Sequence, residues 1–219
     1  MYLPEYHALT DLSAMQSHID SHPLGAWVSH GGGNLVANHI PFVLDRTQGP
    51  SGQLIGHVSR GNPVCQDLQE EVRSVVMFIG PQAYITPAWY PGKSDHGKVV
   101  PTWNYVAVHA HGVARAIDDV DWKLKMLHQL TDAQESSRPN PWKVTDAPSE
   151  YVQQMLGAIV GIVIDIDRLE GRLKVSQDEG LADRYGTVEG LRLERDTQAH
   201  EVADLVFQQI LAEQSAACK

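Results

Sequence analysis

Three stretches rich in β-branched and apolar residues, 72–79, Val106 and Val108 with 113–117, and 159–169, limit this fold more than any other feature. Runs of this length bounded by glycine and proline read as strands. They do not alternate regularly with crossover helices, so a βαβ array fits poorly, and a barrel or rolled sheet with inserted helices fits well. The expected class is mainly β with helices (α+β).

The remaining segments agree with that class. Asp11 to His22 reads as a helix, with Asp11 as cap, Leu12, Met15 and Ile19 on one face, and Pro23 as stop. Gly25–Ser29 and Leu35–Phe42 flank Gly31, Gly32 and Gly33 and read as a hairpin. Leu54–Ser59 is a strand leading into Asn62-Pro63, an N-cap followed by proline at the first helical position, with a short helix to about Glu70. Val72–Ile79 is expected as a central strand and Ala83–Thr86 as the next, and Pro87, Pro91 and Pro101 bracket a loop. Trp122, Met126 and Leu130 mark an amphipathic helix, and Pro148–Leu156 another. Ile159–Leu169 reads as a strand that the turn at Glu170-Gly171 reverses, so that Leu173–Ser176 pairs back on it. Val202, Leu205, Val206 and Ile210 stripe a C-terminal helix at about 196–215. A length of 219 residues suits a single domain spanning residues 1–219.

Charge and cysteine usage narrow the partners. A formal net charge of -10 argues against direct DNA contact, because an acidic surface repels a phosphate backbone. Cys65 and Cys218 do not form a disulfide framework, and the chain shows neither a secretion signal nor an apolar run long enough for a membrane. A reducing, cytoplasmic setting is expected.

Four groups of residues carry chemistry. Gly56-His57-Val58-Ser59-Arg60-Gly61-Asn62-Pro63 ends a strand at a helix start, where free N–H groups and Arg60 would seat a phosphate. The alternative is that Asn62 only caps the helix and Arg60 is a surface charge. Tyr84 to Tyr90 with Trp89, followed by Pro101-Thr102-Trp103-Asn104-Tyr105, offers flat aromatics for a planar heterocycle, with Thr86, Thr102 or Asn104 to bond its edge. Core filling or an interface is the alternative. Among 11 histidines, His109 and His111 share a strand face, but no HxxEH, HExxH or paired CxxC accompanies them, so no metal is expected. Arg172, Lys174 and Ser176, at alternate positions, present two cations and a hydroxyl to a phosphate or to another subunit's carboxylates; a solvated edge is the alternative. The GxSxG, P-loop and GxGxxG signatures are absent, and no catalytic residue is assigned.

HIPF at His39–Phe42, GHVSRGNP at Gly56–Pro63, GPQAYITPAWYPGK at Gly80–Lys93, VPTWNYVAVHAHG at Val100–Gly112 and EGRLKVSQ at Glu170–Gln177 together resemble the PaiB family, the FMN-binding negative transcriptional regulators. The resemblance runs from MYLPEYH to about residue 190. It implies a split β-barrel like that of pyridoxamine 5′-phosphate oxidase, a homodimer with FMN at the subunit interface. By motif, His57, Ser59, Arg60 and Asn62 would follow the flavin phosphate and ribityl chain, Thr86, Tyr90, Trp103 and Asn104 would border the ring, and Lys174, Ser176 and Gln177 would complete the pocket. Four positions depart from the pattern, which usually has alanine at Ser59, tryptophan at Cys65, lysine at Arg172 and asparagine at Asp178. The function implied is negative regulation of degradative-enzyme or sporulation-type genes, reached indirectly since no basic recognition helix is evident. The alternatives are an FMN-dependent oxidoreductase and, behind it, a haem-binding protein.

Overall fold

Local side-chain chemistry sets many of the element boundaries in the computed structural model, which describes residues 1–31, 33–68 and 71–217. These residues form eight strands and seven α-helices. In chain order they are β1 (Ala8–Leu9), α1 (Leu12–Ser21), β2 (Leu24–Gly31), β3 (Asn34–Pro41), β4 (Val43–Asp45), β5 (Gln53–Ser59), α2 (Val64–Asp67), β6 (Val72–Ile85), α3 (Gly92–Asp95), β7 (Thr102–Ile117), α4 (Val120–Glu135), α5 (Ser149–Ala158), β8 (Ile159–Lys174), α6 (Leu181–Leu193) and α7 (Thr197–Ala217). Asp11 caps α1 by accepting the Ala14 N–H at 2.6 Å, and Asp119 caps α4 by accepting that of Trp122 at 2.7 Å. No helix among the described residues is long and apolar enough to cross a membrane.

The sheet order is β3-β2-β6-β7-β8-β5-β4, with β1 paired to β8, and the fold is a split barrel, mostly antiparallel, with helices. The hairpin expected around the glycines is β2 and β3, with Ala26 opposite His39, and Gly33 takes a φ of 83° at its turn. Gly32 of that cluster, the expected end of the short helix near Glu70, and Cys218 lie outside the described residues. The helix itself stops as a single turn at Asp67.

Three expectations about the long strands are corrected. Residues 72–79 and 83–86 belong to one strand, β6. Its buried positions step by two from Val72 to Gly80, then by three to Ala83, so Pro81 and Gln82 shift the alternation without ending the strand. β7 runs unbroken through 102–117. The reversal at Glu170-Gly171 does not occur: Gly171 pairs with Leu9 and Arg172 with Ala8, so β8 continues to Lys174 and residues 173–176 do not fold back. Helix α6 was not anticipated.

Contacts along the chain gather into two compact units. The larger comprises Asp11–Phe78 and Val108–Leu169, and its core includes Trp27, Leu54, Phe78, Ile162 and Ile164, all fully buried. Phe42 meets Phe78 edge to face at 6.2 Å. The smaller comprises Met1–Thr10, Ile79–Ala107 and Glu170–Lys219. There Ala83, Ile85 and Tyr90 pack with Val188 and Leu191 of α6 and with Val202, Val206 and Ile210 of α7. The C-terminal stripe read from the sequence is this packing face.

Candidate functional site

In the smaller unit, Gln82, Tyr84 and Thr86, at alternate positions from β6 onward, stand beside Trp103 of β7. With Ala83, Trp89, Leu191, Glu194, Asp196 and Ala199 they line a cavity of about 400 Å³. That is within the range of small-molecule sites, roughly 300–1,000 Å³. Tyr84 and Trp103, each about half exposed, meet edge to face with centroids 6.0 Å apart. The wall is therefore aromatic, with an amide at Gln82. The Thr86 hydroxyl accepts the Ala88 N–H at 3.2 Å and keeps its own proton for a partner. Of the four residues expected to border a ring, Thr86 and Trp103 lie here.

Tyr90 and Asn104 are instead buried behind this wall. Tyr90 is within the core, where burial pushes its phenol up to about 12. Asn104 donates from Nδ2 to Ser176 Oγ at 2.8 Å. Ser176 is almost fully buried at a φ of 61°, a left-handed conformation uncommon for a non-glycine residue. It lies beyond the end of β8, so the alternation linking it to Arg172 and Lys174 does not reach it. Gln177 accepts from the Val175 N–H at 2.7 Å and donates to the Leu173 carbonyl at 2.6 Å, closing the same turn on itself. None of Tyr90, Asn104, Ser176 and Gln177 lines the cavity.

Lys174 does reach the cavity wall. Its Nζ donates to Thr102 Oγ1 and, at 3.0 Å, to the carbonyl of Trp103. Burial, the largest cause, pulls its pKa below the usual lysine value. Arg172, two positions earlier, lies over the rings of Tyr105 (5.3 Å) and Tyr2 (5.9 Å) and donates to the Tyr2 carbonyl at 3.0 Å. One strand end thus carries two cations.

In the larger unit, the residues of the GHVSRGNP motif have other partners. Arg60 donates to both Asp118 carboxylate oxygens at 2.6 and 2.8 Å and to the carbonyls of Gly157 and Ile159 at 2.8 and 3.2 Å. Four of its five N–H groups are thereby taken, and the guanidinium closes the C-terminal end of α5. Asn62 accepts from Val64 N at 3.0 Å and donates to Asn38 Oδ1 at 2.7 Å, so it braces the start of α2 from one residue before the cap, which is Pro63 rather than Asn62 as expected. A phosphate would have to displace these bonds. Ser59 is exposed and accepts from the Gly61 N–H at 3.3 Å. His57 lines a separate recess of about 300 Å³ with Phe42, Leu127, Leu130 and Trp142. Burial lowers its pKa, which favours the neutral imidazole. His109 and His111 lie two apart on β7, as expected, with ring centroids 6.3 Å apart.

The cavity residues missed from the sequence come mainly from α6 and the connection to α7: Leu191, Glu194, Asp196 and Ala199. The signal available was the i, i+3 spacing of Val188 and Leu191.

A split barrel with an aromatic, cofactor-sized cavity defines a class of flavin-binding domain, and comparison with known proteins agrees. Residues 1–168 match the family described as "Putative FMN-binding domain". The chain is 28% identical to the protease synthase and sporulation protein PAI 2 of Bacillus subtilis, over 94% of this chain and 96% of that one. It is 33% identical to an uncharacterised protein of Aspergillus fumigatus, over 87% and 90% respectively. Among solved structures, the FAD and heme binding protein from Mycobacterium smegmatis superimposes with a TM-score of 0.56 at 21% identity, covering 75% of this chain and 72% of that one. The flavocytochrome Anf3 from Azotobacter vinelandii gives 0.53 at 15% identity, covering 79% and 72%. The chain belongs to the PaiB-like FMN-binding family that its motifs resemble, and its cofactor is FMN.

Proposed function

We propose that this chain is an FMN-binding regulator, a homodimer in the cytoplasm, that restrains degradative-enzyme or sporulation-type genes through a partner or through the redox state of its flavin. The cavity walled by Tyr84 and Trp103 carries this reading. Flat rings suit an isoalloxazine face, and Thr86 and Gln82 suit its polar edge. Glu194 and Asp196 at the same cavity repel a phosphate, so the anionic end of FMN belongs elsewhere. Lys174, bonded to the Trp103 carbonyl, and Arg172 behind it supply the paired cation that a phosphate needs. Motif assigns His57, Ser59, Arg60 and Asn62 to the phosphate and ribityl chain as well; Arg60 has the smallest share, because most of its donors are engaged. Bound FMN would supply hydride and electron transfer, while the protein orients it.

The relative in Bacillus subtilis bears a name that ties it to protease synthesis and sporulation, which supports a regulatory role. The net charge of -10 supports an indirect route. Purified protein is expected to stay yellow when NADPH is added and to leave its own promoter unshifted in a gel at moderate salt. Rapid bleaching by NADPH would favour the oxidoreductase, and a salt-sensitive gel shift would favour direct repression. Lys174→Ala is expected to weaken FMN binding by about 10-fold or more, the loss of a charge-assisted hydrogen bond. Titrating apoprotein with FMN and following flavin fluorescence measures this, and an unchanged affinity removes Lys174 from the phosphate.

A further inference from the structure

His7 is buried, with 2% of its surface exposed, and both its ring nitrogens face charged groups of opposite sign. The ladder that pairs Ala8 with Arg172 puts it beside the end of β8. Arg172 lies 3.5 Å from Nδ1, and a guanidinium can only donate, so Nδ1 is the acceptor and the imidazole proton sits on Nε2. Nε2 in turn faces Asp178 Oδ1 at 3.6 Å, too far for a hydrogen bond, and has no other partner among the described residues.

We propose that His7 is the positioning residue for the cations that receive the flavin phosphate: it holds the Arg172 guanidinium through Nδ1 while Nε2 faces the Asp178 carboxylate. This rests on the reading that Arg172 and Lys174 hold the phosphate. The groups that face His7 are Arg172 and Lys174 on β8, Asp178 beyond it, and the Tyr6 ring, edge-on at 4.4 Å. Burial, the largest cause, lowers the pKa of His7; Arg172 and Lys174 lower it further, and Asp178 opposes them. The imidazole is thus neutral near pH 7. Protonating Nδ1 sets an N–H against the Arg172 N–H groups and breaks that contact, so FMN affinity falls on acidification.

The test titrates FMN into wild type, His7→Asn, His7→Gln and Lys174→Ala at neutral pH and in steps through the acid range below the ordinary histidine value, since burial moves the His7 transition lower still. Asparagine places an acceptor near the Nδ1 position and keeps Arg172; glutamine places a donor near Nε2 and does not. His7→Asn is expected to stay within about 3-fold of wild type at neutral pH and to lose the part of the acid dependence that exceeds the FMN phosphate's own second ionisation near about 6, while His7→Gln weakens binding about 10-fold. Equal affinities in the two His7 variants, or a wild-type affinity that falls in acid no more than that of His7→Asn, would overturn the proposal. If Lys174→Ala weakens binding while both His7 variants match wild type, the phosphate reading survives and the role of His7 does not. An unchanged Lys174→Ala removes the phosphate reading itself. Should the variants fail to fold, nitrogen NMR of the wild-type imidazole decides: a proton on Nε2 is expected, and one on Nδ1 would overturn the assignment.

Discussion

Gly186→Ala is expected to destabilise the protein by about 3 kcal/mol or more, at the upper end of overpacking substitutions. A Cβ there would lie 2.0 Å from the Trp89 carbonyl oxygen and 3.3 Å from Pro91 Cδ, and backbone cannot rotate out of the way. Relief requires α6 to separate from residues 87–91. The better helix propensity of alanine returns only about 1 kcal/mol. Because Trp89 lines the cavity, FMN affinity should fall together with stability. Gly190→Ala is the informative companion, since its Cβ would meet the Trp89 ring at 2.2 Å, and a side chain can shift. It should destabilise less, by about 1–3 kcal/mol, yet still disturb the cavity. Urea unfolding midpoints and FMN titrations of both variants measure these effects. A Gly186→Ala protein as stable as wild type would contradict the packing of α6.

The second large effect is expected at Asp118→Ala, in the larger unit. Lys123 is 2% exposed, and its Nζ is held by Asp118 Oδ1 at 2.7 Å and by the Leu156 and Ile159 carbonyls at 2.8 and 3.3 Å. Arg60 shares the same carboxylate. Removing it leaves a buried ammonium with carbonyl partners and no counter-charge. Breaking a fully buried pair costs about 3–5 kcal/mol; Asp118 is half exposed and the carbonyls remain, so about 2–3 kcal/mol is expected. The pH dependence has a definite sign. The hydrogen bond from Arg60 first, then that from Lys123, holds the Asp118 carboxyl well below the usual carboxylate range. A depressed folded pKa contributes stability that is complete above the unfolded value of about 4 and is lost as pH falls below it. The stability gap between wild type and Asp118→Ala should therefore be level near neutrality and shrink in acid. A gap that persists unchanged in acid would show that the charge is not its source.

These two sites also show where the sequence stops being informative. The short elements with local causes were legible: α1 from Asp11 and Pro23, the β2–β3 hairpin from its glycines, and α7 from the Val202, Val206 and Ile210 spacing. The long strands were cut short because Pro81 and Glu170-Gly171 look like local breaks, whereas ladder partners such as Leu9 for Gly171 lie far away in the chain. α6 escaped notice because Gly186 and Gly190 dilute its apolar stripe, and their small size answers to Trp89, about a hundred residues earlier. The aromatic wall at Trp103 and the hydroxyl of Thr86 could be read from residue type alone. The partner of Arg60 could not: Asp118 is 58 positions away, and nothing local distinguishes an arginine that caps a helix end from one that waits for a phosphate.

The absorbance spectrum of the purified protein, before and after addition of FMN, tests the central claim most directly. A yellow protein with flavin bands, or a colourless one that takes up stoichiometric FMN and quenches its fluorescence, is the predicted result. A colourless protein that leaves added FMN free would contradict the assignment.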